Sequence, residues 1–365
     1  MKDFIFRNDT KLLFRNDIRT TIAEIAKGHK VMFVYGGGSV KRNGCHDDIV
    51  QTLTDNGIPL MEYGDSSREF AKIQEGIRIA KENGITMIIG AGGASVMDSA
   101  KLIAFGFYHE SDLWNYVKGK NPYGLERLPL ALIPTYPSSG SENGLGAVSV
   151  DSRIGDFGTA YGIAADYAIL CPIYSLTLDR EMTTYTGLVT LVQLSAGILG
   201  DRNRMSYDAG ISYIRNVFEA TRTLQKNPDD LDARGIIMMG ASLSTSSRLG
   251  IGKEEPFAYE IYELEFLPEK LFGSSYRRSL TSVFPRFLQA MGKHHADDIR
   301  KYYHDAFGFD SSIEESSRKL VELFEGLRVE MYYDGKITRE QVDAIPCHTE
   351  LSKEEVFDII NSLIR

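Results

Sequence analysis

Two glycine-rich turns stand where a short apolar run gives way to a helical pattern, and both have the composition of phosphate-binding turns. The first, Gly36–Ser39, follows Val31–Tyr35, and the second, Gly90–Ser95, follows Ile85–Ile89. Glycine lets the backbone turn sharply and approach a ligand, and the N-terminus of the following helix offers unpaired N–H groups to phosphate oxygens. One such turn is a weak signal. Two turns at the carboxyl ends of strands in one sheet favour dinucleotide binding, because ligands of open α/β sheets bind there.

The residues after the first turn favour a particular dinucleotide. Lys41 and Arg42 close this turn, where an acidic residue could have received a ribose hydroxyl. Cations at this position favour an additional phosphate, so they predict NADP, with NAD as the second choice. The alternative is a solvated basic pair on a surface turn. A third segment, Pro134–Gly144, is rich in hydroxyl and small side chains, and it either lines the same pocket or is a connecting loop.

Short buried strands alternate with helical stretches in the first half of the chain and would position these turns. Besides the two runs above, Leu128–Pro134 and Tyr167–Leu170 are apolar runs of strand length. Between them, Ser66–Asn83 places Phe70 and its isoleucines near one helical stripe. Apolar runs separated by helical segments predict a doubly wound parallel sheet that is covered on both faces.

The pattern changes after about Thr177. No convincing strand follows, and long amphipathic segments such as Ser352–Ile364 have helical periodicity. That segment opens with a capping-box sequence, as does the segment that begins at Thr338. We therefore predict an α/β domain over residues 1–178 and an all-helical domain over residues 179–365.

The charge balance and the cysteines argue against several classes of function. The formal net charge is -9, with acidic and basic residues interspersed, so no nucleic acid is expected as a partner. The three cysteines form no metal-binding spacing and predict reduced thiols in a cytoplasmic protein. The N-terminus lacks the apolar run of a signal peptide. Charged residues and glycines interrupt the most apolar stretch, Ile85–Phe107, so no membrane span is predicted.

Three segments together resemble a known family. YGGGSVKRNG (35–44), GAGGASVMDSAK (90–101) and IPTYPSSGSEN (133–143) are similar, in order and context, to the cofactor-side motifs of the iron-containing alcohol dehydrogenases. The resemblance is greatest to the branch of NADPH-dependent aldehyde reductases and butanol dehydrogenases. It continues from Asp166 to Leu188 and, more faintly, through Phe257–Gln289. It implies a homodimer with the dehydroquinate synthase-like fold of that family, in which a dinucleotide-binding α/β domain precedes a helical domain.

Matched motif by motif, the resemblance assigns residues to a cofactor site. The adenosine end would face Gly36, Gly37, Gly38, Ser39 and Lys41. The pyrophosphate and the nicotinamide would lie against Gly92, Gly93, Ala94, Ser95 and Asp98, and the other wall would contain Thr135 and Ser138. Ala94 replaces the glycine that is usual in the second motif, and its methyl group could crowd the pyrophosphate.

The resemblance breaks at the metal site. The family binds a divalent metal through an Asp and a His four residues apart, a spacing that places both on one helix face, and through two later histidines. Val189 and Gln193 stand at the first two positions here, and Tyr262 and Tyr276 at the other two. Valine cannot ligate a metal, and an amide or a neutral tyrosine is a poor ligand for iron or zinc. We therefore predict that the family metal is absent.

Two other groups of residues could replace the lost ligands. The glutamates near Tyr262, at positions 260, 263 and 265, could form an oxygen-rich site, although such a run is more often the exposed face of a helix. The adjacent histidines at positions 294 and 295 would point in different directions on a helix and make a poor ligand pair.

Loss of the metal leaves two hypotheses of different classes, because the metal stabilises the developing alkoxide in this family. In the first, the chain is a NAD(P)H-dependent oxidoreductase of a small alcohol or aldehyde. Tyr262 and Tyr276 then donate to the carbonyl oxygen with Gln193 as a further donor, unless the tyrosines only fill a vacated cavity. In the second, the chain is a non-catalytic relative that binds a nucleotide or metabolite as a sensor or partner. Dehydroquinate synthase or glycerol-phosphate dehydrogenase chemistry is a weaker alternative, since those relatives also use a metal.

Overall fold

A computed structural model describes residues 3–200, 203–246, 249 and 257–365 of the chain. Within these residues, six parallel strands form one sheet with the order β1-β8-β5-β4-β2-β3, and two further strands form an antiparallel pair. The strands are β1 (Lys11–Phe14), β2 (Val31–Tyr35), β3 (Leu60–Tyr63), β4 (Met87–Gly92), β5 (Leu130–Pro134), β6 (Gly146–Asp151), β7 (Asp156–Tyr161) and β8 (Tyr167–Leu170).

The central strands confirm the predicted doubly wound sheet. β2 and β8 have the predicted bounds, whereas β4 and β5 each begin two residues later than predicted. Strands β2, β4 and β5 are buried along their whole length, as expected for parallel strands between two layers of helices. Alternate residues of β2 join two different apolar clusters, with Met32 and Val34 in one and Val31 and Phe33 in the other.

Four strands were not predicted. The edge strands β1 and β3 are short and partly exposed, so neither has a continuous apolar run. The hairpin strand β6 alternates buried and half-buried residues, and β7 alternates exposed residues with less exposed ones, so one face of each strand is turned towards the protein. The helices of this part of the chain are α1 (Arg19–Ala26), α2 (Ser39–Arg42), α3 (Cys45–Asp55), α4 (Phe70–Glu82), α5 (Ala94–His109) and α6 (Leu113–Val117).

The chain divides into two units at Leu178 and Asp179. The α/β unit contains Arg7–Leu178 and the segment that begins at Ala241, and the helical unit contains residues 3–6, Asp179–Gly240, residue 249 and residues 257–365. The remaining helices are α7 (Arg180–Ile198), α8 (Arg204–Lys226), α9 (Leu231–Ser244), α10 (Ile261–Leu264), α11 (Phe266–Phe272), α12 (Tyr276–Met291), α13 (Ala296–Phe307), α14 (Ile313–Gly326), α15 (Arg339–Asp343) and α16 (Lys353–Asn361).

Helix α7 lies at the centre of the helical unit. From Thr183 to Ile198 all of its residues are buried, and a helix that is apolar on all sides belongs in a core. Its Ser195 hydroxyl lies 2.6 Å from the hydroxyl of the buried Tyr302 in α13. The two predicted capping boxes are confirmed, at Thr338 for α15 and at Ser352 for α16.

Two negative findings concern the described residues. After residue 178 they contain no strand, apart from a single bridge between Tyr333 and Ile364. None of their helices is both long enough and apolar enough to cross a bilayer.

Candidate functional site

The first glycine turn leads directly from β2 into the short helix α2. Gly37, Gly38 and Ser39 are exposed, and a Cβ atom built on Gly37 would meet no atom within 4 Å. The backbone is therefore open to close approach by a ligand, which is the property that a nucleotide-binding turn needs.

Two cations stand at this turn, as the sequence predicted. The Arg42 guanidinium lies over the turn, because one of its nitrogens is 3.2 Å from where a Gly38 Cβ would be. The Lys41 ammonium lies 5.4 Å from the centre of the Tyr35 ring, within the range of a cation–π contact. Both side chains are exposed and can reach a bound anion.

The second glycine turn leads from β4 into α5. Gly92 has φ +157°, and a Cβ atom there would lie 3.0 Å from the side chain of Val96, so this position requires glycine. Gly93 caps α5, and a Cβ atom there would meet only Tyr136, at 3.7 Å. Ala94 is half-buried at the first position of α5, and the Ser95 hydroxyl accepts a hydrogen bond of 3.0 Å from the Arg68 backbone N–H.

Asp98 lies one turn further along α5 and points into the protein. It is 4% exposed, and its carboxylate accepts a hydrogen bond of 2.7 Å from the Ser141 hydroxyl. Burial raises the pKa of Asp98, and this rise is opposed by Lys101, by the Ser141 hydrogen bond, by Arg68 and by the backbone N–H of Val148. A direct contact of Asp98 with the cofactor stays a prediction.

The third segment begins beside the second turn. β4 and β5 pair at Gly92 and Pro134, and the Thr135 N–H donates to the Gly92 carbonyl oxygen at 2.9 Å. Thr135 and Ser138 are both buried, at 4% and 8% exposed. The structure thus brings the second turn and the start of the third segment together at the carboxyl ends of neighbouring strands, where the sequence predicted them.

Sequence reasoning missed two charged residues at this edge of the sheet. Lys101 is fully buried, and its ammonium donates to the carbonyl oxygens of Gly144, which ends the third segment, and of Gly146, which begins β6. Glu142 is also buried, and burial raises its pKa. Burial lowers the pKa of Lys101 to about 8, against the charges of Asp98 and Glu142. The available signal was the spacing of Asp98 and Lys101, which places both on one face of a helix.

The helical unit contains the four positions that match the metal ligands of the family. Val189 and Gln193 lie on α7 and are buried, at 1% and 6% exposed. Tyr262 lies in α10 and is half-buried, and Tyr276 begins α12 and is 38% exposed. Burial raises the pKa of Tyr262 well above its usual value, and the nearby Tyr276 adds to the rise.

These four residues do not fit iron or zinc, because an aliphatic side chain, an amide and two neutral phenols offer no strong ligand. Among residues 3–200, 203–246, 249 and 257–365, no group of three or more His, Cys, Asp or Glu side chains could hold a metal ion. The absence of the metal from the protein stays a prediction.

The expectation of an exposed glutamate face beside Tyr262 was wrong for Glu265, which is 3% exposed. Burial, together with the neighbouring Glu269, raises the pKa of Glu265 to about 9. Glu260 and Glu263 are partly buried, and each accepts a hydrogen bond from the segment before α16, at Thr349 and His348 respectively.

Comparison with known proteins shows which family the chain is similar to. Residues 9–172 match the model of the iron-containing alcohol dehydrogenases. NADH-dependent butanol dehydrogenase A of Clostridium acetobutylicum is 27% identical over 277 residues, covering 73% of this chain and 70% of that protein. The NADPH-dependent aldehyde reductase of Escherichia coli is 25% identical over 298 residues, covering 78% of this chain and 75% of that protein.

The fold agrees with this relationship. The crystal structure of NADH-dependent butanol dehydrogenase A from Thermotoga maritima superimposes with a TM-score of 0.88 at 24% identity, covering 100% of this chain and 99% of that one. The parallel sheet, its glycine turns and the helical unit all lie within this overlap. The chain is therefore similar to the iron-containing alcohol dehydrogenases in sequence and shares their fold.

Proposed function

We propose that this protein is a NAD(P)H-dependent oxidoreductase that interconverts a small alcohol and aldehyde without the metal of its family. The two glycine turns at the carboxyl ends of β2 and β4, the first of them open to a ligand at Gly37, are the observation that carries the cofactor half of the proposal. Similarity to butanol dehydrogenases and to an aldehyde reductase supports the substrate class.

The first turn supports NADPH as the preferred reductant. Lys41 and Arg42 are exposed there, and an added 2′-phosphate would gain charge-assisted hydrogen bonds from them. The butanol dehydrogenases among the relatives are named for NADH, so the preference is a proposal for this chain alone.

The chemistry proposed for the helical unit is proton donation. A reduced nicotinamide dinucleotide held at the two glycine turns would supply the hydride that reduces the aldehyde. Tyr262 and Tyr276 are the candidate acids that donate a proton to the carbonyl oxygen, and Gln193 is a candidate neutral hydrogen-bond donor to the same oxygen. Burial raises the pKa of Tyr262 well above its usual value, so this phenol acts chiefly by donating a hydrogen bond to the carbonyl oxygen, and water replaces any proton that it transfers.

A screen of short aldehydes with NADPH tests this proposal. We expect NADPH oxidation by the protein, and a loss of at least about tenfold in kcat for the double variant Tyr262→Phe/Tyr276→Phe, a loss typical of a missing general acid. The control is Tyr108→Phe, because Tyr108 is an exposed residue of the α/β unit. An unchanged kcat in the double variant contradicts the catalytic role of the tyrosines.

The substituted metal positions favour a second candidate function. A non-catalytic relative would bind the dinucleotide and act as a sensor or as a partner of an active enzyme. NADPH binding without turnover of any aldehyde or alcohol in the screen would support this alternative.

Two further properties belong to the proposal. We place the protein in the cytoplasm, in keeping with free thiols at Cys45, Cys171 and Cys347. We also propose a homodimer, which the family resemblance implies and which sedimentation in solution would test.

A further inference from the structure

Tyr35, the last residue of β2, organises the charged groups beside the first glycine turn. Its hydroxyl donates to Oε2 of Glu62 at 2.8 Å, and Nε2 of His46 lies 2.7 Å from the same oxygen. The ring of Tyr35 contacts the turn, because the ring centre lies 5.4 Å from the Lys41 ammonium. One tyrosine therefore supports a cation of the turn and fixes a carboxylate from the neighbouring strand β3.

The segment after β3 is tied to the same turn by the backbone. The Asp65 N–H donates to the Gly36 carbonyl oxygen at 3.3 Å, and the Ser66 N–H donates to the Tyr35 carbonyl oxygen at 3.0 Å. A Cβ atom on Gly64 would lie 3.0 Å from the Tyr35 ring, so glycine allows the tyrosine to approach this segment closely. These contacts hold Glu62 at a fixed place beside the turn.

Glu62 is ionised, and one of its carboxylate oxygens can accept a further hydrogen bond. Burial opposes ionisation, but hydrogen bonds from His46 and Tyr35, and the charge of Lys41, together lower the pKa of Glu62. Its side chain is 40% exposed. Both hydrogen bonds given above use Oε2, and within the part of the chain that the structure describes no hydrogen bond reaches Oε1.

An acidic residue in this position has a known physical use in dinucleotide sites. A carboxylate near the first glycine turn accepts a hydrogen bond from the ribose 2′-hydroxyl of NAD and repels the 2′-phosphate of NADP. In the sequence, only the cations Lys41 and Arg42 stand at the turn. In the fold, Glu62 of the neighbouring strand β3 places a carboxylate beside it.

We propose that Glu62 is a specificity-determining residue, which accepts the ribose 2′-hydroxyl of NADH and offsets the attraction of Lys41 and Arg42 for the 2′-phosphate of NADPH. The inference rests on the proposed function, because it assumes that the first turn holds the adenosine end of a nicotinamide dinucleotide. It predicts a site that accepts both dinucleotides, with Glu62 and Lys41 acting in opposite directions.

Calorimetric titration with 2′,5′-ADP and 5′-ADP isolates this end of the cofactor from the chemistry. Removing one charge at a half-exposed site changes an affinity by about threefold to tenfold. For Glu62→Gln we expect tighter binding of 2′,5′-ADP and weaker binding of 5′-ADP by factors of about this size. For Lys41→Met we expect weaker binding of 2′,5′-ADP and little change for 5′-ADP.

The matched control is Glu75→Gln. Glu75 also accepts a hydrogen bond from a tyrosine, Tyr63, and contacts a lysine, Lys72, but it lies on α4. We expect both dissociation constants to stay within about twofold in this variant. Glu62→Asp keeps the charge but shortens the side chain by one methylene group. We expect this variant to bind 5′-ADP more weakly and 2′,5′-ADP with unchanged affinity.

The outcomes separate the inference from the proposed function. If the unmodified protein binds both probes and Glu62→Gln leaves their ratio unchanged, Glu62 does not set specificity and the inference is overturned while the cofactor site stands. If the unmodified protein binds neither probe, both the cofactor site and the inference are wrong. If Glu62→Gln fails to fold, Glu62→Asp and Lys41→Met still decide, since unchanged ratios in both overturn the inference.

Discussion

The ammonium nitrogen of Lys101 lies 2.7 Å from the carbonyl oxygen of Gly144 in the interior of the α/β unit. Lys101 belongs to the helix that follows the second glycine turn, and Gly144 ends the hydroxyl-rich third segment. A second bond of 2.8 Å, to the Gly146 carbonyl oxygen, holds the beginning of β6 as well. Two walls of the candidate cofactor site are therefore joined by one buried cation.

Lys101→Met is expected to destabilise the protein strongly. The substitution leaves two carbonyl oxygens without a donor and the buried carboxyl groups of Asp98 and Glu142 without their cation. Removing one partner of a buried ion pair lowers the free energy of unfolding by about 3 to 5 kcal/mol. Urea unfolding at pH 7, followed by circular dichroism, measures the loss.

Lys81→Met is the matched control for this prediction. Lys81 forms an ion pair with Glu110 at the surface, and both side chains are well exposed. Exposed pairs contribute about 0 to 1 kcal/mol, so this variant should stay close to the unmodified protein. Equal losses in the two variants would show that Lys101 has no special structural role.

Two glycine substitutions are expected to separate binding from stability. Gly37→Ala should leave the melting temperature unchanged, because a Cβ atom there meets nothing within 4 Å. It should weaken NADPH binding, because the methyl group occupies space that the cofactor backbone contact needs. Fluorescence titration with NADPH and a thermal melt of the same sample measure both effects.

Gly140→Ala should have the opposite outcome. Gly140 has φ +63°, and a Cβ atom there would lie 2.1 Å from the Ala241 carbonyl oxygen. Backbone strain and this overlap together should cost about 2 kcal/mol or more of unfolding free energy. A stable Gly140→Ala protein, or a Gly37→Ala protein with unchanged NADPH affinity, would contradict this description of the two turns.

Much of the fold could be predicted because its signals are local. The run Val31–Tyr35 followed by three glycines defines a buried strand and a turn, and the structure reproduces those strand bounds. Long-range relationships left no such signal. Nothing near Glu62 in the sequence indicates that Tyr35 and His46 bind its carboxylate, because the parallel pairing of β2 and β3 brings Tyr35 to it and the first turn of α3 brings His46. For the same reason the partners of Lys101, more than forty residues away, could not be read from its neighbours.

Glu355→Gln is expected to lower stability at neutral pH but not in acid. Burial opposes ionisation of Glu355, yet hydrogen bonds from Ser352 and the nearby Lys293 and His294 lower its pKa from 4.5 to about 2. A lowered carboxyl pKa contributes stability that is present above pH 4.5 and is lost as the pH falls towards 2. The variant should lose about 2 kcal/mol of unfolding free energy at pH 7.

Thermal melts from pH 7 down to pH 2.5 measure this dependence. Glu354→Gln is the control, because the neighbouring Glu354 side chain is 68% exposed and pairs with Arg339 at the surface. The gap between Glu355→Gln and the unmodified protein should narrow below about pH 4.5. A gap that is constant across this range would mean that the charge of Glu355 is not what stabilises α16.

The central proposal is a nicotinamide dinucleotide site in a relative of the iron-containing alcohol dehydrogenases that works without their metal. Elemental analysis of the purified protein and titration of the same preparation with NADPH and NADH test it directly. We predict saturable binding of both dinucleotides, tighter for NADPH, with iron and zinc far below one equivalent and unaffected by a chelator. One equivalent of iron or zinc would contradict the assignment of Val189, Gln193, Tyr262 and Tyr276 to the ligand positions, and absence of dinucleotide binding would contradict the cofactor site itself.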